Sequence, residues 1–199
     1  RPLFSNRYYP VFNRPNVELV TDKIDHLTTT GVVTADQQLR EVDVVIVATG
    51  FQVTRYLSAI DVIGRGGRHI EDAWSDGAQA YLGIATHGFP NLFMLYGPNT
   101  NNGSILFMLE RQVEYAVRQI KRVQNEALSW IDVRADVEAQ YNDVMQSDIK
   151  TVKVWQADCG HYYNARSGRM VTQWPHDLDE YTARTAADDA DAYESAASA

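Results

Sequence analysis

Two short turns hold the residues best placed for chemistry. Ala48-Thr49-Gly50 closes the apolar run Val44–Ala48, and Tyr96-Gly97-Pro98-Asn99 follows the apolar stretch that begins at Asn91. In open α/β sheets, ligands bind beyond the carboxyl ends of the strands. A small hydroxyl and a glycine suit such a mouth, and a plain core strand needs neither. After the second turn the chain passes through Thr100-Asn101-Asn102-Gly103-Ser104 into a helical pattern. The first turn of a helix offers N–H groups without intrahelical partners and a positive partial charge, which suits an electron-rich group. Gly97 and Gly103 would let the backbone approach a flat ligand closely. The alternative at this level is a capped core helix after an ordinary turn.

Other catalytic templates are absent. His26, His69, His87, His161 and His176 show no H-x-x-x-H spacing, and the lone Cys159 rules out C-x-x-C, so no metal site is expected. Neither a G-x-S-x-G nucleophile elbow nor a G-x-G-x-x-G dinucleotide fingerprint occurs. Gly64–Arg68 lacks the Lys-Ser/Thr of a phosphate loop and reads as a turn. No base-orienter pattern lies near Cys159, which reads as an inert thiol.

The chain has 199 residues, 45% hydrophobic and 22% charged, enough for one medium domain or parts of two with a real core. A net charge of −8 argues against nucleic-acid and anionic-membrane partners. No apolar run approaches the roughly 20 residues that span a bilayer. With a single cysteine, a cytoplasmic location is expected. The chain starts at Arg1, its first methionine is Met94, and no signal pattern precedes Arg1. It therefore reads as a piece of a longer protein.

Patterning gives an α/β fold with a mixed sheet, amphipathic helices and a C-terminal hairpin. Asn16–Val20 is expected to form a strand, and Gly31 onward a strand that turns at Asp36–Gln38 and returns into Val44–Ala48. That last run does not alternate, so both of its faces are expected to be covered, as in a parallel or mixed sheet. Asn91–Gly97 reads as a second apolar strand. Ile105, Leu109, Val113, Ala116, Ile120 and Val123 mark one helix face, with Asn101, Asn102 and Ser104 as candidate N-caps. Val133, Val137, Tyr141, Val144 and Ile149 mark a second helix. Thr151–Trp155 reads as a strand, Tyr162–Trp174 as a hairpin turning at Arg166–Gly168, and the Ala/Asp-rich tail from Ala186 as frayed or weakly helical.

The ordered set of motifs resembles the carboxyl-terminal part of flavin-containing monooxygenases of the Baeyer–Villiger type. It comprises Val42–Phe51 (VDVVIVATGF), Trp74–Gly77 (WSDG), Tyr81–Asn99 (YLGIATHGFPNLFMLYGPN), Leu109–Ile120 (LERQVEYAVRQI), and the closing Trp155, Cys159, Tyr162, Tyr163, Gly168, Trp174 and Pro175. The opening Arg1–Val20 also resembles the stretch these enzymes carry before the A-T-G motif. The resemblance implies a fragment of a flavoprotein with two dinucleotide-binding domains. Residues 1–42 would end the NADP-binding domain and its linker, 43–185 would form the carboxyl-terminal portion of the FAD-binding domain, and 186–199 a flexible acidic tail.

The resemblance also implies site residues. Thr49, Gly50 and Phe51 would lie near FAD, and Gly97, Pro98 and Asn99 would line the flavin. Asn102, Gly103, Ser104 and Ile105 would face its pyrimidine end, where reduction places negative charge. Tyr162 stands where many relatives have a tryptophan bordering the cofactor pocket. Arg1 occupies the place of the family's active-site arginine, which would stabilise a flavin peroxide anion and hold the nicotinamide. The implied activity is NADPH- and O2-dependent oxidation of a ketone, or of a soft N or S centre, through a C4a-peroxyflavin. This chain alone is expected to be inactive and to self-associate through apolar surface. Two alternatives stand beside it. One is a disulfide-reductase-like flavoenzyme, opposed by Gly97-Pro98 where Gly-Asp would be expected and by the lack of C-x-x-C. The other is a non-catalytic binding or assembly module.

Overall fold

The computed structural model describes residues 4–50, 52–156, 163–165 and 167–198. The chain divides into two compact units, Arg1–Thr49 and Gly50–Ala199. The first unit holds a one-turn helix, α1 (Tyr8–Val11), and a three-stranded antiparallel sheet of β1 (Ile24–Leu27), β2 (Gly31–Thr34) and β3 (Leu39–Glu41), in the order β1-β2-β3. The expected turn at Asp36–Gln38 joins β2 to β3. The Asp36 carboxylate accepts from Thr34 Oγ1 at 2.6 Å and from the Gln38 N–H at 3.2 Å, an Asx-type closure.

Two strand expectations in this unit are corrected. Asn16–Val20 takes no strand partner, and β1 pairs with β2 instead. Val44–Ala48 is not a strand, and Val44, Ile46 and Val47 are 75%, 85% and 77% exposed. A continuous apolar run becomes a buried strand only where neighbouring strands supply hydrogen-bond partners and covering layers supply apolar surface. Within this unit no described strand pairs with it.

The second unit begins with turns and short helical pieces, including the tight turn Arg65–Gly67 and α2 (Ile70–Ala73). Asn91–Gly97, expected as a strand, is irregular because Asn91 and Tyr96 sit at φ 59° and 60°, off the extended path. Then come α3 (Ile105–Asn125), β4 (Leu128–Val133), α4 (Ala135–Thr151), α5 (Leu178–Ala186) and β5 (Tyr193–Ala197). β4 and β5 pair antiparallel. The turn near residue 167 is closed by an antiparallel bridge between Asn164 and Met170, while Asn101 and Gln173 make a parallel bridge. Thr151–Trp155, expected as a strand, ends α4 and enters a 3-10 turn, Lys153–Gln156, with no strand beside it among the described residues. The tail is likewise reassigned: Ala190–Ala192 is a 3-10 turn and Tyr193–Ala197 a strand. Tyr193 is buried against β4, which fixes what composition alone would leave frayed.

α3 starts after one of the three expected caps and buries only part of the expected face. Ser104 caps it, its Oγ accepting from the Phe107 N–H at 3.3 Å, and Arg122 stands in the last turn. The packed side is Met108, Gln112, Tyr115, Ala116 and Gln119, while Val113 and Ile120 lie outside at 43% and 45% exposure. Polar residues go inside because each is hydrogen bonded there. Gln112 Oε1 accepts from the Tyr96 N–H at 2.7 Å, and its Nε2 donates to Tyr181 Oη at 2.9 Å. Gln119 donates to Asp189 at 3.0 Å, and Tyr115 Oη donates to Asp189 and pairs with Tyr193 Oη at 2.8 Å. α4 keeps most of its expected face, with Val137 and Tyr141 packed against the core, but Val133 ends β4 and does not belong to the helix. Glu138, Asn142, Met145 and Ile149 are buried, whereas Val144, expected inside, is 46% exposed.

The core forms three apolar clusters within this unit. One centres on Ile84, Tyr115, Ile131, Val133 and Tyr193, a second on Ile70, Trp74 and Phe89, and a third on Met108, Met145, Trp174 and Tyr181. Burial, with Tyr193 and Asp189 alongside, pushes the Tyr115 hydroxyl far up and keeps it neutral. Tyr115→Phe would leave Asp189 and Tyr193 short of a partner. It is expected to lower unfolding free energy by about 1–3 kcal/mol, read as a fall in urea midpoint at unchanged slope.

Candidate functional site

The second glycine-containing turn is built by stitching two distant segments together. Asn99 sits in the left-handed region at φ 56°, and its backbone N–H donates to the Val171 carbonyl at 2.8 Å. Its side-chain Nδ2 donates to the carbonyls of Met170 and Gln173, both at 2.9 Å. The Asn101 N–H reaches the Thr172 carbonyl at 2.9 Å. Asn102 Nδ2 donates to Trp174 O at 3.0 Å and His176 O at 3.2 Å, and its Oδ1 accepts the Gly103 N–H at 2.8 Å. Thr100 Oγ1 closes the turn on Gly97 O at 2.7 Å. The run of asparagines is therefore a clamp on residues 170–176.

Gly97, Pro98 and Asn99 are buried, with Asn99 only 3% exposed. A Cβ on Gly97 would come within 2.3 Å of the Gly83 carbonyl oxygen, so in this structure the close approach that needs glycine is to the chain's own backbone. Asn102, Gly103 and Ser104 are exposed and Ile105 is half-buried. Beyond the Ser104 cap, the N–H groups of Ile105 and Leu106 meet no acceptor among the described residues, and no acid stands in the first turn. That set of donors fits an electron-rich, partly anionic ring edge, the group that a reduced flavin presents. Asn99 Oδ1 is buried without a hydrogen-bond partner among the described residues.

The remaining expected site residues are scattered. Thr49 is the last residue of the first unit, and Gly50, at φ 82°, is the first of the second; both are exposed. Arg1, Phe51 and Tyr162 lie outside the described residues, as does Cys159.

Sequence reasoning missed a second polar cluster. It surrounds Thr86-His87-Gly88, inside the motif block that carries the resemblance. Glu138 accepts from Thr86 Oγ1 at 2.7 Å and from the His87 N–H at 3.1 Å. His87 Nδ1 lies 2.8 Å from the Val133 carbonyl, so that nitrogen carries the proton. Asp132 accepts the Gly88 N–H on both oxygens at 3.1 Å. Arg65 donates to Asp132 at 3.3 Å and to Glu194 at 2.6 Å, and stacks over Trp130 at 4.6 Å. His87, Asp132 and Glu194 bring ligand-type atoms within 4.8 Å of one another, but the Arg65 guanidinium already bridges the two carboxylates there. Burial is the largest influence on Asp132 and Glu138 and raises both carboxyls, against the bonds from Arg65 and Thr86 respectively. The available signal was an acid inside the apolar strand Leu128–Val133 and another in the first turn of the next helix.

No protein-family model matches the chain. The chain is 38% identical over 197 residues to a Baeyer-Villiger monooxygenase of Pseudomonas aeruginosa, covering 97% of this chain and 37% of that protein. It is 35% identical over 187 residues to the FAD-binding monooxygenase ktnD of Aspergillus niger, covering 91% of this chain and 31% of that protein. Among solved structures, cyclohexanone monooxygenase from Rhodococcus sp. Phi1 bound to NADP+ superposes with a TM-score of 0.82 at 32% identity, over 100% of this chain and 39% of that one. The OTEMO complex with FAD and NADP superposes at a TM-score of 0.76 and 27% identity, over 96% of this chain and 37% of that one. The chain thus spans well under half the length of the relatives it matches, and it is similar over nearly all its own length to a part of them.

Substitutions at two positions test this local architecture. Asn99→Ala removes the donor to two buried carbonyls and should cost about 2–4 kcal/mol in urea unfolding; Asn99→Asp should cost more at neutral pH, because it faces them with negative charge. The second concerns Glu138. A carboxyl raised by folding adds stability below its unfolded pKa and loses it as pH rises through the folded value. The stability of Glu138→Gln relative to wild type should therefore increase between about pH 4 and pH 8, measured by urea midpoints across that range.

Proposed function

We propose that this chain is part of an NADPH- and O2-dependent flavoprotein monooxygenase that oxidises ketones by Baeyer–Villiger insertion, or soft N or S centres. The observation that carries the reading is the match of essentially the whole chain, in sequence and in fold, to part of the Pseudomonas and Rhodococcus monooxygenases. The relatives' names also favour it over the disulfide-reductase alternative and over a non-catalytic module. Residues 1–42 are proposed to end the nicotinamide-binding domain and residues 43–185 to form the carboxyl-terminal portion of the FAD domain.

When bound, FAD would supply O2 activation and oxygen transfer, and NADPH the electrons. The chain's own residues would do the positioning. The N–H groups of Ile105 and Leu106, with Asn102, Gly103 and Ser104 around them, would receive the electron-rich edge of the ring and favour its negative charge. Gly97, Pro98 and Asn99 are proposed to line the flavin, and Asn99 would also hold that helix start in place through the clamp on residues 170–176. Thr49, Gly50, Phe51 and Tyr162 are proposed to border the cofactor. Arg1 is proposed to place a guanidinium beside the reacting oxygen and the nicotinamide. The exposed apolar residues of α3 support self-association of the chain as it stands.

The test is expression of the complete reading frame that contains this sequence. Retained FAD and ketone-dependent NADPH consumption are expected, with Arg1→Ala lowering kcat by about a hundredfold or more while FAD content is unchanged. A colourless protein, or one whose NADPH consumption is indifferent to ketones, amines and sulfides, would overturn the reading.

A further inference from the structure

Resting on the flavin site proposed above, we propose that Gln112 is a positioning residue for that site. From about two turns inside α3, its amide holds the backbone of Tyr96 and so the place of Gly97, Pro98 and Asn99 relative to the helix start. Gln112 and Tyr181 are both fully buried. Gln112 Oε1 accepts the Tyr96 N–H at 2.7 Å, and its Nε2 donates to Tyr181 Oη at 2.9 Å. Tyr181 Oη donates in turn to the Leu82 carbonyl at 2.8 Å. The relay therefore ends on backbone at both sides, at Tyr96 and at Leu82. These residues immediately precede Gly97 and Gly83, the two glycines whose backbones meet. A side chain on Gly83 would strike Thr100 and the Pro98 carbonyl, so the contact held by this relay lies against the turn itself.

Tyr96 is where the tie matters. It sits at φ 60°, a left-handed conformation that a bulky residue adopts at a cost. Its Oη also donates to Asn101 Oδ1 at 3.0 Å, so the same residue reaches across the turn towards the start of α3. With the Gln112 bond gone, the Tyr96 backbone can relax towards negative φ. The Gly97–Asn99 turn and the first N–H groups of α3 then move with it. Methionine would fill the volume of Gln112 but could not hold the Tyr96 N–H. A wholly buried amide is costly unless both of its ends are bonded, and here each end is. Gln112 thus acts on the cofactor through the turn it holds.

The test uses the protein expressed from the complete reading frame, with FAD bound. Gln112→Met should lower the two-electron midpoint potential of the flavin by about 30 mV, a tenfold loss of preference for the reduced form. The cause is displacement of the N–H groups that favour its negative charge. Tyr181→Phe removes the donor to Leu82 but leaves the Tyr96 bond to Gln112. It should lower the urea midpoint as much as Gln112→Met does, yet shift the potential by less than about 10 mV, or twofold. A side chain that served only the core would move the urea midpoint in both variants and the potential in neither. Gln112→Asn keeps the amide but withdraws it by one methylene. It should shift the potential in the same direction, and it stands in where Gln112→Met does not fold. A Gln112→Met potential within about 10 mV of wild type, or a Tyr181→Phe shift equally large as that of Gln112→Met, would overturn the role of Gln112 and leave the flavin reading intact. Wild-type protein that retains no FAD would overturn both.

Discussion

The clamp between the Asn99–Asn102 turn and residues 170–176 is the constraint on which the rest of the second unit depends. Its hydrogen bonds join segments about seventy residues apart in sequence, and most go to backbone carbonyls that would otherwise be buried without donors. They decide where α3 begins. Once Ser104 is held at the cap, the direction of a 21-residue helix follows, and so does the position of the free N–H groups in its first turn. The helix in turn orders α5 and the tail, because Gln112 bonds to Tyr181 and Tyr115 to Asp189 and Tyr193.

The second unit packs polar side chains where a simpler domain would pack apolar ones. Gln112, Gln119, Asp132, Glu138 and Asn142 are all under 9% exposed. Buried polar groups need partners, and satisfied ones specify a single arrangement in a way that interchangeable apolar contacts do not. The Thr86-His87-Gly88 segment shows the consequence. Its hydroxyl and two backbone N–H groups are met by carboxylates from α4 and β4, so an irregular stretch inside the most family-like block is held as firmly as a strand. A site that must receive a flat cofactor gains from such rigid backing, since the residues in front of it need not provide their own support.

Burial by hydrogen bonding is also the reason sequence periodicity misplaced part of the face of α3. Hydropathy assigns Val113 and Ile120 to the core and Gln112 and Gln119 to solvent. The structure reverses this: the glutamines have partners inside, and the valine and isoleucine are left 43% and 45% exposed. The same limit explains Val44–Ala48. Its apolar run marks a segment suited to a covered strand, but a strand exists only where another chain segment lies alongside to share its hydrogen bonds.

Local chemistry was legible wherever the decisive partner lay within a few residues. Ser104 was one of three candidate caps for α3 and takes the role because a hydroxyl caps its own helix, and Asp36 marked its turn because a carboxylate closes on the N–H two residues on. The ordered motifs likewise carried the resemblance to flavin monooxygenases. Tertiary structure alone decided that Gln112 and Gln119 of α3 face inward, that the acidic tail becomes β5, and that Gly97 makes room for Gly83. It also placed Asp132 and Glu138 around residues 86–88. In each of these cases the deciding partner lies more than ten residues away, and no local pattern of side chains records a partner at that distance.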